Sequence, residues 1–138
     1  MTPEEFAIVK KHPAEAVKIL KPVKMISSIL PAILYHHENY DGTGYPDGLK
    51  VEDIPLSARI LCVADAYDSM TADRPYRSSP GKDYAISELH RCSGSQFDPK
   101  IVELFLQLIE HDNSTLHRGV TFCVRLYLNN HACYDIKS

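Results

Sequence analysis

Between residues 39 and 55 the chain places Gly42, Gly44, Pro46, Gly48 and Pro55, a density of backbone breakers that neither helix nor strand accepts. Regular structure must therefore form on either side of this loop. An apolar run beginning near Met25 ends on His36-His37-Glu38 just as the loop starts. Imidazole suits transition metals, and a glycine-punctuated loop beside it can carry substrate to an ion. Candidate ligands and a recognition loop thus come from one stretch, His36-His37-Glu38-Asn39-Tyr40-Asp41-Gly42-Thr43-Gly44-Tyr45-Pro46.

On both sides the pattern is helical. Thr2, Pro3 and Glu5 form a start signal of N-cap, N1 proline and capping-box acid, which predicts a helix over about 3–11. His12-Pro13 is expected to break it, because the residue before proline is pushed out of the α region. A second short helix runs through Ala14 to Leu20, with Ala16, Val17 and Leu20 as its apolar stripe. From Met25 to Glu38 apolar residues are dense, and Pro31 either starts that helix or kinks it. Ser57 to Thr71 is the strongest helical segment. Ser79-Pro80 and Asp98-Pro99 each set a capping side chain before an N1 proline, predicting helices over about 80–92 and 99–110. Only Thr121 to Leu128 carries strand propensity, with no evident partner. We divide the chain into a helical part, 1–111, and a tail, 112–138, whose structure the sequence does not define.

Bulk properties narrow the function. A length of 138 residues gives one domain or part of one, and 44% apolar with 24% charged residues is ordinary for a globular chain. A net charge of −3 supplies no polybasic surface, which argues against nucleic-acid binding by bulk charge. No apolar run nears the roughly 20 residues of a membrane span, and the N-terminus does not read as a secretory signal. Cys62, Cys92, Cys123 and Cys133 lack Cys-x-x-Cys spacing, so reduced thiols in a cytoplasmic protein are expected.

Two further segments carry chemistry. Asp65 stands among apolar neighbours in Ile60-Leu61-Cys62-Val63-Ala64-Asp65-Ala66-Tyr67-Asp68, on the core side of its helix. An ionised carboxylate there needs a metal, a cation or several donors; a hydrogen bond to a neighbouring helix is the plainer alternative. Asp68, three residues on, repels it unless something positive lies near. Arg74 and Arg77 follow directly, stiffened by Pro75. They read either as a bidentate phosphate clamp or as cations complementing a helix C-terminus. Consecutive helical side chains diverge by roughly 100°. His36 and His37 are thus expected to serve two neighbouring ions, or to split into one ligand and one histidine behind it, or simply into one buried and one exposed residue. His12 stands at the turn before Pro13.

Taken together, these segments resemble the HD-GYP family of the HD phosphohydrolase superfamily. The resemblance runs from about Thr2 to Ile109 and rests on Lys11-His12-Pro13, His36-His37-Glu38, Asp41-Gly42-Thr43-Gly44-Tyr45-Pro46-Asp47-Gly48, Ile54 to Ile60, Val63 to Asp68, Asp73 to Arg77 and Gly94 to Pro99. It implies an all-α helical bundle of about five to six helices and a metal-dependent phosphodiesterase that opens cyclic di-GMP to pGpG or GMP in bacterial signalling. By the same resemblance His12, His36, His37 and Asp65 are metal ligands, with Asp68 supporting them from behind and no catalytic side chain beyond the ligands. Two or three divalent ions are implied, iron or manganese first, which activate water and neutralise phosphoryl charge. Arg74, Arg77 and Tyr45 would hold substrate. The namesake loop Gly44-Tyr45-Pro46 would shape the site and engage partners, diguanylate cyclases of the GGDEF type among them.

One departure bears on activity. The family's His-Asp doublet with its following Gly-Lys lies upstream of Met1, and His111-Asp112 comes in the wrong order to replace it. We therefore expect a domain truncated at its N-terminus, weak metal binding and little turnover. Apolar surface left by missing helices would favour association, a homodimer included. The competing readings are a non-catalytic module that grips a signalling partner through Gly44-Tyr45-Pro46, and a gene remnant.

Overall fold

The computed structural model describes residues 2–73 and 78–111. The tail and its strand-like stretch therefore lie outside the described residues, as do Arg74 and Arg77. Among the described residues six α-helices follow in order: α1 (Pro3–Val9), α2 (His12–Leu20), α3 (Leu30–Tyr35), α4 (Leu56–Thr71), α5 (Lys82–Arg91) and α6 (Pro99–His111). Short 3₁₀ turns lie at Lys24–Ile29 and Val51–Asp53. Among the described residues there is no strand, only an isolated bridge between Ser93 and Phe97. The all-α expectation holds.

Local signals act much as read, with two differences, at His12-Pro13 and at Ser79-Pro80. The capping box closes α1: the Glu5 carboxylate accepts from the Thr2 amide at 2.7 Å, and Thr2 Oγ1 accepts from the Glu5 amide at 3.3 Å. His12-Pro13 does not merely end that helix. It opens α2, because a proline lacking an N–H is tolerated in a first turn where that donor would have no intrahelical partner. Pro31 likewise stands in the first turn of α3, and the apolar run before it becomes the 3₁₀ turn. Ser79-Pro80 does not cap α5; Gly81, at φ +97°, stands between them and Lys82. Asp98 does cap α6, its Oδ1 accepting from the Lys100 amide at 2.9 Å.

The core lies in the second half. Cys62, Val63 and Met70 of α4 pack with Ala85 and Leu89 of α5, Phe97, and Val102, Leu106 and Ile109 of α6. Tyr67 and Phe105 meet edge to face at its margin, 5.2 Å between centroids. On its other side α4 packs against α3, which in turn packs against α2. The loop that follows α3 is pinned to the turn before α6, where the Tyr40 and Asp41 amides donate to the Gln96 and Ser95 carbonyls at 3.1 and 2.8 Å.

A candidate metal centre

Three imidazoles meet where α2, the end of α3 and the loop converge. His12, His36 and His37 each present a ring nitrogen such that all three lie within 4.8 Å of one another. His36 and His37 are buried and His12 is half-buried. Helical divergence does not separate the tandem pair. α3 ends at Tyr35, so His36 is its C-cap and His37 belongs to the turn that begins the loop. The two rings accordingly lie 3.8 Å apart, tilted by 41°.

Hydrogen bonding sets the tautomers. His12 Nδ1 lies 2.6 Å from the Val9 carbonyl oxygen and His36 Nδ1 lies 2.8 Å from that of Ile33. A carbonyl only accepts, so each Nδ1 carries the hydrogen, and in the neutral ring Nε2 is then the nitrogen with the lone pair. Tethering one ring nitrogen to a backbone carbonyl is how proteins orient imidazoles that ligate through the other. His37 Nε2 lies 3.0 Å from His12 Nε2. Two nitrogen ligands at right angles on one ion, each at about 2.1 Å, stand about 3.0 Å apart. Burial and the neighbouring His36 and His12 push the His37 pKa down to about 2. His37 is therefore neutral at physiological pH, the form that binds metal. The donor set fits a divalent transition ion.

Asp65, the remaining candidate, is buried on α4 at 7% exposure but stands outside this group of three. Its charge is felt at Cys62 and Tyr45, where burial first and Asp65 second push both groups up to about 12. Asp68, three residues on, is half-buried.

The loop turns Tyr45 inward. Its ring stacks on that of His37, 4.9 Å between centroids at 29°, and meets Phe6 of α1 edge to face at 6.2 Å. The Lys10 ammonium sits over both rings, 4.7 Å from Phe6 and 5.8 Å from Tyr45. Gly44 is required beneath it, since a Cβ there would run into the Asn39 amide nitrogen, Glu38 Cα and the His37 carbonyl oxygen. Pro46 is exposed.

Sequence reasoning passed over three features around this centre. Glu38, only 2% exposed, accepts from the Asp47 and Gly48 amides with Oε1 at 2.7 and 3.0 Å. Arg59 donates from Nη1 to Asp98 Oδ2 at 2.6 Å and from Nε to the Ile54 carbonyl at 3.0 Å, joining the loop's exit, α4 and α6. The Lys10–Phe6 pair is the third. All were present as residues in the motif stretches or helices, but their pairings span the fold and leave no periodic trace.

The chain matches the HD domain family over residues 1–101. It is 38% identical over 132 residues to a cyclic di-GMP phosphodiesterase of Thermotoga maritima, covering 86% of this chain and 35% of that protein. A cyclic di-GMP phosphodiesterase of Vibrio cholerae is 41% identical over 117 residues, 80% of this chain and 24% of the relative. The 3′3′-cGAMP-specific phosphodiesterase 2 of the same organism is 38% identical over 106 residues, 75% and 20%. The chain thus spans from about a fifth to about a third of the length of these relatives. A crystal structure of a cyclic GMP-AMP-specific phosphodiesterase of V. cholerae superposes with a TM-score of 0.67 at 23% identity, over 94% of this chain and 31% of that one. That likeness speaks for the fold.

Proposed function

This chain belongs to the HD domain family, in its HD-GYP branch, and from that membership we propose that it forms part of a metal-dependent phosphodiesterase acting on cyclic di-GMP. The observation that carries the reading is the pair of carbonyl-tethered imidazoles, His12 and His36, with His37 Nε2 aimed at His12 Nε2 across 3.0 Å. His12, His36 and His37 would hold divalent ions together with Asp65. Such ions lower the pKa of water and neutralise charge developing on phosphoryl oxygens. Iron or manganese is our first choice of ion, and the cytoplasm our choice of compartment.

The protein's own groups set the rest. His37 stays neutral and presents a lone pair throughout the physiological range, because its pKa is held near 2. Tyr45 keeps its phenolic proton, since its pKa is pushed up to about 12, and so serves as a hydrogen-bond donor to substrate rather than a base. Its ring covers one face of the His37 imidazole. Arg74 and Arg77 are proposed to hold phosphate by bidentate contacts. The alternative, a non-catalytic module that grips a diguanylate cyclase or another partner through Gly44-Tyr45-Pro46, fits less well with a tyrosine whose ring lies on His37.

The test is hydrolysis of cyclic di-GMP by the 138-residue chain with excess manganous or ferrous ion, followed by chromatography of linear products. Slow formation of pGpG or GMP, dependent on metal and lost in His37→Ala, is expected. Dinucleotide binding that ignores both metal and the His37 substitution, with no product, would favour the interaction module.

A further inference from the structure

We propose that Glu38 is a positioning residue of the metal centre: its carboxylate holds the loop in the one arrangement that keeps Tyr45 against His37. This rests on the histidines being ligands. Glu38 is 2% exposed, and its Oε2 is buried with no hydrogen-bond partner among the described residues. Burying a carboxyl group with one oxygen left without a partner is unfavourable. Capping an ordinary turn does not require it. What the charge does here is grip two successive amides, Asp47 and Gly48, nine and ten residues further along. Bonds from an ionised acceptor are roughly twice as strong as neutral ones.

That grip closes residues 38 to 48 on themselves. Inside the closed segment the Tyr45 amide donates to the His37 carbonyl at 3.1 Å, and Gly44 lies so near Asn39, Glu38 and His37 that no side chain fits. With its backbone fixed there, the Tyr45 ring lies stacked on His37, 29° from parallel. The opposite edge of His37 is then directed at His12. Both groups that Oε1 holds are loop amides, so Glu38 acts through the loop. Tyr35 sits beside the same carboxylates: burial first, then Asp47, then Glu38 raise its pKa.

Cobalt(II), whose visible absorption reports ligand geometry, is the probe. Titrations compare the wild-type chain with Glu38→Gln, Glu38→Ala and Leu89→Ala, the last a core truncation remote from the loop. Replacing the outer partners of ligating histidines costs about 10- to 100-fold in metal affinity. Glu38→Ala is expected to weaken cobalt about tenfold and to change the spectrum at saturation. Glu38→Gln keeps an acceptor without the charge, so it should weaken cobalt about threefold and speed hydrogen exchange at the Asp47 and Gly48 amides. Leu89→Ala should leave affinity and spectrum unchanged. Equal affinities and spectra across the Glu38 series overturn the proposal, as does a Leu89→Ala loss as large as that of Glu38→Ala. If Glu38→Ala does not fold, Glu38→Gln decides: wild-type exchange and wild-type affinity refute it. A folded wild-type chain that takes up no cobalt refutes the histidine reading and this inference together, whereas binding indifferent to Glu38 refutes only the inference.

Discussion

The two halves of the molecule are held together differently. From Cys62 onward α4, α5 and α6 close a contiguous apolar core in which Val63, Ala85 and Leu89 are fully shielded. Before residue 30 almost nothing is: α1 buries no residue, α2 buries only Pro13, and Ile8, Ile19 and Met25 are 68, 75 and 91% exposed. Yet His12 comes from this loosely packed half, and His36 and His37 from the polar turn between the halves. Stability is thus concentrated away from the three imidazoles, and of the candidate ligands only Asp65 stands on a core helix, α4. Chemistry is concentrated where polar contacts, not apolar burial, set positions. The lesson is that the two properties should be separable by mutation.

The Arg59–Asp98 pair is the strap between them, and cutting it should have the largest effect. Asp98→Ala leaves a guanidinium with 15% side-chain exposure without its carboxylate, and also removes the α6 cap. Breaking a buried pair from one side costs about 3–5 kcal/mol, and a shift of that size is expected in urea denaturation. Because Arg59 also holds the Ile54 carbonyl at the loop's exit, cobalt affinity should fall as well. Unchanged affinity would mean that the loop is set by Glu38 and Gly44 alone.

Leu89→Ala comes next. Removing a fully buried leucine costs about 3 kcal/mol, within the usual 2–5, but cobalt affinity measured below the melting transition should stay at its wild-type value. A parallel loss of metal would erase the distinction between the halves.

Acid supplies the smallest and most local test. His37 has a folded pKa near 2 against an ordinary 6.5, so the unfolded chain binds a proton here that the folded chain refuses. Stability from this group is therefore full above about pH 7 and declines as pH falls through 6.5. Between pH 7 and pH 5 the metal-free protein should lose about 2 kcal/mol on this account. His37→Gln, which cannot titrate, should lose about that much less over the same interval. An identical pH dependence in both proteins would place His37 in solvent and break the contrast between a buried polar turn and an open N-terminal half.

Much of this was legible in the chain. Thr2, Glu5 and Asp98 cap as read, because a cap acts on amides two or three residues away. The glycine and proline positions of the loop likewise dictate irregular backbone, since φ preferences are properties of single residues. The misreadings were local as well: His12-Pro13 separates α1 from α2 as expected but also opens α2, which was expected to begin at Ala14, and a glycine intervenes between Ser79-Pro80 and α5. For the site, residue types and order were visible, and the tandem histidines stood out. Their mutual geometry was misjudged, because the end of α3 at Tyr35 decides it and that end depends on packing.

Composition and order alone thus settled the class of fold, the breakpoints of the chain and the roster of candidate donors, all of which follow from short-range steric and hydrogen-bonding rules. Folding decided which of those donors meet. His12 and His37 are 25 residues apart and touch only because α2 is laid against α3, and Glu38 reaches Asp47 and Gly48 only because the loop doubles back. Contacts of that kind depend on three-dimensional closure of the backbone, for which a linear pattern carries no periodic signal.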